Sequence, residues 1–468
     1  MDRNIRADYS TQYLLPPSIE DWVPADHPAR FIREYVDLLD LEALGFKLHE
    51  SLDGRPAYSC DLLLKAWLYG YFERIRSARR LEKACRENLA LVWLTGNHVP
   101  DHNTLWRFFK DNRRSLRRLF KQGVRMAMDA KLIGMVLHAV DGTKIKARVS
   151  KDGVLSRDGA KELLAALDAS VDGMMDEVTQ HEGKESFDFR IPRELADREV
   201  LRERLEQALS EMEKVDRKLL HPDEPDARMM QVAGKIEPGY NAQVVVDKES
   251  GMIVAEEVVN EESDKHMLTA MIDDVEENVG EAAGETLADA GYCSSEELSK
   301  AEERNRSVLI NVSSENEGEF HWTKFCYDEK DDCVICPLGK RLEFSHVDHS
   351  EKQARRVYIC RCQKECDRRW DCSRTKRIGR RIRLLPNQAA LLRNRRRMRE
   401  PAAKELMRQR KTIVEPVFGV VKECMGFRRW TVAGLENVRA QWAILCTVFN
   451  LSKLYKQWLE GRLVLKVC

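Results

Sequence analysis

Apolar positions along the first third of the chain recur at helical spacing. Leu62, Leu63, Trp67, Leu68 and Tyr71 fall on one such series. Leu81, Ala84, Leu89 and Leu91 continue it, with Trp93 beyond. Pro100-Asp-His-Asn-Thr104 interrupts the pattern and offers capping side chains to a helix over Leu105–Asp111. Leu116, Leu119 and Phe120 then open another helix, studded with Arg113, Arg114, Arg117, Arg118 and Lys121. The pattern predicts a helical domain over 1–130, behind a polar, Pro-containing arm at 1–20. Its basic face is either a solvated surface or a dock for nucleic-acid phosphates.

The period changes at Val136-Leu-His-Ala-Val-Asp-Gly-Thr-Lys-Ile-Lys146. Val136, Leu137, Ala139 and Val140 run almost unbroken into Asp141, and Gly142 ends the run. This reads as a buried central strand that delivers one carboxylate to its exposed end. A carboxylate left there unpaired costs several kcal/mol, so Lys144, Lys146 or a metal ion should compensate Asp141.

Core segments over 131–154 and 223–313 are separated by a charged excursion, 155–222. Within it Leu164, Leu167, Val171, Met174 and Val178, and then Leu201, Leu205, Ala208, Met212, Val215 and Leu219, step by threes and fours. With Pro192 between them they predict an antiparallel helical hairpin. Strand signals return at Gly239–Asp247, and a Lys248–Gly251 turn leads to Met252–Ala255. An amphipathic helix follows over Asp264–Val275. Glu285-Thr-Leu-Ala-Asp-Ala-Gly-Tyr292 repeats the opening device, a short buried strand closed by Asp289 and a glycine. Ser294 with Glu297 reads as a capping box, and Ser307–Val312 as a further strand. This order describes an α/β (α+β) core with a mixed sheet. Helices return over 386–468, at Glu405–Met425 and Gly434–Leu459.

Composition changes the picture in two places. Lys+Arg and Asp+Glu both total 78, but the basic residues crowd into Arg374–Lys411 while the acids concentrate in 155–300. A neutral sum therefore conceals a surface suited to a polyanion. Of 13 cysteines, seven lie between Cys326 and Cys372, inside a Cys-rich stretch, 314–385. Clustering of that kind favours a metal over disulfides, and Cys333, Cys336, Cys362 and Cys366 are the expected zinc ligands. The N-terminus has no signal-peptide pattern and the chain no apolar run of membrane-spanning length, so a cytoplasmic protein is expected.

The third acid of interest is Glu415. At 100° per residue, Val414, Val417, Phe418, Val421 and Met425 make a core stripe. Arg408, Lys411, Glu415 and Lys422 cluster within roughly 60° on the flank beside it. Three convergent carboxylates, Asp141, Asp289 and Glu415, suit hard divalent cations, which assist phosphoryl displacement.

The motifs also resemble those of a family. Val140–Ala147, Pro225-Asp-Ala-Arg228, Tyr240-Asn-Ala-Gln243, Ala288–Tyr292 and Glu415-Pro-Val-Phe-Gly419 with Lys422 are similar to those of bacterial insertion-sequence transposases of the Asp-Asp-Glu (DDE) type. Gly54-Arg-Pro-Ala-Tyr58, Ser77–Leu81 and Pro100-Asp-His102 extend the resemblance through the helical domain. It implies an RNase H-like core with Asp141, Asp289 and Glu415 as catalytic ligands of magnesium or manganese. It also implies double-stranded DNA as partner, both element ends and target, bound by a homodimer or larger assembly. Lys144, Lys146, Arg408, Lys411 and Lys422 are the expected DNA contacts. Two other readings fit the pattern: a DNA-binding protein that does not cut, and a general metal-dependent nuclease.

Overall fold

The computed structural model describes residues 18–47, 56–181, 193–214, 218–312, 318–350, 354–361, 366–373, 379–385 and 387–465. Most of the expected arm, the turn holding Pro192 and the cysteine Cys362 lie outside these residues. The chain divides into two units, residues 1–126 with 443–468, and residues 127–442.

Short helices build the first unit: α1 (Pro28–Asp37), α2 (Cys60–Phe72), α3 (Ala78–Glu87), α4 (Leu89–Leu94), α5 (His102–Asp111) and most of α6 (Arg113–Asp129). On α2, Leu64, Trp67, Leu68 and Tyr71 are all buried, as suits a helix that is apolar on every side. Helix α5 begins earlier than its apolar pattern implies. The Asp101 carboxylate caps it, accepting from the N–H of Asn103 at 2.9 Å and of Thr104 at 3.0 Å.

The second unit opens with β1 (Leu137–Lys146). A ribbon of β2 (Leu155–Ser156) and β3 (Leu219–Leu220) then closes the base of two helices, α7 (Arg157–His181) and α8 (Arg193–Lys214). The helices run antiparallel: Arg157 near the start of α7 donates to the Met212 carbonyl near the end of α8, at 3.1 Å. Next come β4 (Arg228–Val232), β5 (Lys235–Asp247), β6 (Ile253–Val259), α9 (Leu268–Val279), β7 (Glu285–Ala288), α10 (Ser295–Glu303) and β8 (Val308–Ile310).

Strand β5 pairs antiparallel with β4 and β6 along one edge and with β1 along the other. Parallel β7 and β8 continue the sheet beyond β1. An antiparallel meander running into parallel strands makes this a mixed α/β fold of RNase H-like type.

Three local expectations are corrected. First, β1 does not stop at Gly142; pairing with β5 runs unbroken through Lys146↔Gly239, so Asp141 lies mid-strand. Second, α9 starts at Leu268, which leaves Asp264 in the preceding loop. Third, the Ser294 side chain makes no capping bond. Glu297 instead turns inward and accepts from the N–H of Thr269 at 2.9 Å and from its hydroxyl.

The cysteine-rich stretch forms its own antiparallel sheet of β9 (Cys326–Asp328), β10 (Cys333–Ile335), β11 (Arg341–Asp348), β12 (Arg355–Cys360) and β13 (Arg381–Leu384). Phe325, Val334, Leu342, Tyr358, Ile382 and Leu384 are buried against one another there. A short α11 (Arg369–Cys372) precedes β13, and α12 (Gln388–Arg397) leads to α13 (Pro401–Gly419). Pro416 sits inside α13 without breaking it, and the helix passes into a π turn at Val420–Cys424.

The last helix, α14 (Leu435–Leu459), gives its first turns, through Trp442, to the second unit and the remainder to the first. Asp226 of the Pro225–Arg228 motif accepts from the N–H of Leu435 at 2.7 Å and so fixes where α14 begins. Among the described residues no helix is long and apolar enough to cross a membrane.

Candidate active site

Parallel pairing of β1 with β7 ends at Ala139↔Leu287, and β7 itself ends at Ala288. Two residues further along each chain stand Asp141 and Asp289. They share a register and a face on backbones whose strand spacing is about 4.8 Å. Asp141 is thus open on the side where β7 stops, although its own strand continues. The Asp141 carboxylate accepts from the N–H of Gly142 at 2.9 Å. Asp289 caps the turn Ala290–Tyr292 and accepts from the N–H of Gly291 at 2.8 Å.

Burial raises the Asp141 carboxyl above its usual range, the Arg410 charge opposes that rise, and the Asp289 charge adds to it. Arg410 Nη1 stands 3.1 Å from Asp141 Oδ2, with both side chains largely shielded from solvent. The helical wheel explains the contact, because Arg410 lies within the apolar stripe of Val414, Val417 and Val421 that faces the sheet. A cation in such a stripe is a sequence signal for a buried acidic partner.

The expected compensation by Lys144 and Lys146 is corrected by the strand's pleat. Asp141 and the two lysines differ by odd numbers of residues, so the lysines project from the other face. Lys146 is instead paired with Glu237 at 2.9 Å.

On that other face the Tyr240–Gln243 motif builds a polar network. Asn241 and Gln243 each donate to Asp264 Oδ1 at 2.7 Å, and Gln243 also donates to Asn241 Oδ1 at 3.0 Å. The buried Tyr292 hydroxyl donates to Gln243 Oε1. Burial raises the Tyr292 phenol well above its usual range, and the charges of Asp264, Asp141 and Asp289 raise it further. Glycine is required at two places here. A Cβ on Gly142 would stand 2.3 Å from Gln243 Nε2. One on Gly291 would stand 2.9 Å from Asp289 Oδ1 and 3.3 Å from Asp264 Oδ2. Asp264 and Arg410 therefore border the Asp141–Asp289 pair, and neither was singled out from the sequence.

Glu415 is not brought to the pair. It is exposed on α13, about 140° around the helix from Arg410. Among the described residues no cluster of three acidic, His or Cys side chains has the geometry of a metal site. Lys422, on the same flank as Glu415, comes nearer: burial lowers its ammonium and the Asp141 charge opposes that. Arg408 and Lys411 are exposed, and Arg408 pairs with Glu405 at 2.8 Å.

Among the described residues Cys333, Cys336 and Cys366 of the expected zinc set form no metal cluster, and Cys362 lies outside those residues. Cys333 lies on the face of β10 opposite to Val334, beside Arg341, whereas Cys336 and Cys372 pack against the core that holds Val334 and Cys360. The arginine-rich helix is divided in its roles. Arg393 donates to Glu302 at 3.0 Å and Arg397 to Glu285 at 2.6 Å, so part of it is internal structure.

Comparison with known families finds two matches. Residues 17–111 match a transposase domain (DUF772), and residues 335–455 match a transposase DDE domain. The second match contains Glu415 and Lys422, while Asp141 and Asp289 lie in the unmatched middle of the chain. No curated protein matches the chain. Two transposase matches at separate places, around an RNase H-like sheet that sets Asp141 beside Asp289, support an insertion-sequence transposase of the DDE type.

Proposed function

We propose that this transposase binds the ends of its own element, cuts them in a metal-dependent reaction and joins them to target DNA. The observation that carries this reading is the Asp141–Asp289 pair at the edge where β7 stops. Water hydrolyses a phosphodiester at the element's end and leaves a 3′-hydroxyl. That hydroxyl then attacks a phosphodiester of the target and displaces a 3′-oxygen there.

The acids fit a divalent cation, magnesium or manganese. They offer hard oxygen donors side by side, and the burial that raises Asp141 is a cost a bound cation offsets. When bound, the cation supplies Lewis acidity at a phosphoryl oxygen. In this reading Glu415 is the third acid although the fold leaves it exposed and apart from the pair; its support is that Lys422, on the same flank, feels the Asp141 charge. Lys422 holds a DNA phosphate beside the acids, and Lys411 and Arg408 extend that contact along α13. Asp264, Gln243 and Tyr292 hold the neighbouring backbone in place. The protein acts on two ends as a dimer or larger assembly.

The test is nicking of a supercoiled plasmid that carries the inverted repeats flanking this gene, with magnesium or manganese. Asp141→Asn, Asp289→Asn and Glu415→Gln should each keep end binding and lower nicking by orders of magnitude. Double changes should cost little beyond single ones, because residues that act as a unit are not additive. Wild-type nicking by Asp141→Asn would remove the catalytic reading. Equal nicking of plasmid without the repeats would favour a general nuclease.

A further inference from the structure

Beside the acids, at the same end of the parallel strands, lies a groove lined by cations from three parts of the chain. Its floor begins at Asn311, which follows β8 and donates its N–H to the Ala288 carbonyl at 3.2 Å, next to Asp289. One cleft of about 340 Å³ is lined by Asn311, Lys324, Arg395, Arg399 and Lys404 among others. A second, of about 390 Å³, shares Asn311, Met398 and Lys404 with it and continues to Arg408 and Lys411. Among the described residues neither cleft has an acidic residue in its lining.

This differs from the arginines elsewhere in the second unit. Arg393, Arg397, Arg304 and Arg306 are matched by Glu302, Glu285 and Asp273. Among the described residues no ion pair reaches Lys324, Lys404 or Lys411. Three such lysines in one recess repel one another unless an anion lies among them.

The groove is also built in advance. Buried Asn394 bonds both backbone groups of Ile310, at 3.1 and 2.9 Å, which fixes α12 against the end of β8. Arg395 donates to the Thr323 carbonyl at 3.1 Å and Arg399 to the Lys324 carbonyl at 3.0 Å. These bonds tie the turn Trp322–Lys324, which leads into the cysteine-rich sheet, to the helix. On α13, Lys404 and Lys411 are about 10 Å apart along the axis, enough for about three phosphates of one DNA strand.

We propose that this groove is a second DNA-backbone site, which holds phosphodiesters of the same DNA whose reacting phosphate lies at Asp141 and Asp289. The inference rests on the proposed function and assigns a role to Lys324, Arg395, Arg399 and Lys404. It also gives the cysteine-rich sheet a purpose, since that sheet follows directly on the turn that carries Lys324.

The test is equilibrium binding of full-length protein to two fluorescent duplexes in chelator, across a salt titration. One duplex carries the element's repeat and the other a random sequence. Lys324→Gln with Lys404→Gln should weaken binding and flatten the plot of log affinity against log salt by about 1.8, two phosphate contacts at about 0.9 each. Lys404→Gln alone should flatten it by about half as much, which guards against a folding defect in the double variant. Flattening on the repeat only assigns the groove to element ends, on the random duplex only to target, and on both to either. Unchanged slopes on both duplexes would overturn the proposal. So would an equal effect of Lys235→Gln, which removes a charge from the β4–β5 turn. Nicking by Asp141→Asn tests the proposed function separately, because these slopes are measured without metal or cleavage.

Discussion

Arg410 Nη1 stands 3.1 Å from Asp141 Oδ2, so the acid most central to the sheet is neutralised by a side chain from α13. Removing one member of a well-buried pair costs about 3–5 kcal/mol, and less here because both groups keep some solvent. Arg410→Gln should therefore melt at a lower temperature than wild type in chelator. It should also gain more from magnesium, because the acid pair then depends on the cation alone for charge balance. Ligand linkage makes that gain readable as a concentration-dependent melting temperature. Melting curves of both proteins across a magnesium titration check it, and indifference of both to magnesium would count against a cation at this pair.

The network behind the pair makes a second expectation. Asp264 Oδ1 accepts from both Asn241 and Gln243, so Asp264→Ala leaves one N–H of each amide unmatched, while Asn241 keeps the Glu261 carbonyl and Gln243 keeps Asn241 Oδ1. Each unsatisfied group costs about 1–3 kcal/mol. The variant should lose stability of that order in urea melts. Because the amides also hold Tyr292 beside the acids, turnover of nicking should fall more than DNA affinity does. An unaltered nicking rate in a protein that is folded but less stable would confine Asp264 to a structural role.

Lys146 and Lys422 separate the two faces of β1. Lys422→Ala should weaken binding to DNA and flatten its salt dependence by about 0.9. Lys146→Ala removes the partner of Glu237 and should cost stability while leaving that slope unchanged. Side-by-side salt titrations decide the matter; a flattened slope for Lys146→Ala would place DNA on the opposite face of the sheet.

These contrasts show which features of the site were legible. The apolar run identified the central strand because both its faces are covered over Leu137–Val140, although Val136 ahead of it is exposed. It misplaced the strand's end because an apolar run measures two-sided burial, not length. Beyond Asp141 the strand continues with Lys144 and Lys146 alternating with buried Thr143 and Ile145. Counting the pleat in the sequence would have put the lysines on the wrong face for Asp141. Counting the helix would likewise have found Arg410 among Val414, Val417 and Val421. Asp264 was not accessible in this way. It lies in a loop, and only the pairing of β5 with β1 and the turn after β7 bring Asn241, Gln243 and Tyr292 to it. The lining of the cation groove is equally non-local, since Asn311, Lys324 and Lys404 are joined by no sequence period.

Glu224 offers a test of the core that does not depend on DNA. It is buried, accepts from the Tyr240 hydroxyl at 3.0 Å, and closes the Pro225–Arg228 segment on the sheet. Burial raises its carboxyl above the usual 4.5, while hydrogen bonds from Tyr240 and from the N–H groups of Gly434 and Arg148 oppose the rise. A folded-state value above the unfolded one means that the folded protein holds the proton more tightly. The resulting stability is fully present below about 4.5 and is lost as pH rises through the folded value. At neutral pH the ionised carboxylate is thus a net burden on the fold. Glu224→Gln keeps an acceptor for Tyr240 and removes the charge, so its stability relative to wild type should improve steadily as pH rises from about 4.5. Urea denaturation of both proteins at several pH values measures this difference directly. A difference that stayed flat, or that favoured wild type more as pH rose, would mean that the hydrogen bonds to the Glu224 carboxylate outweigh its burial.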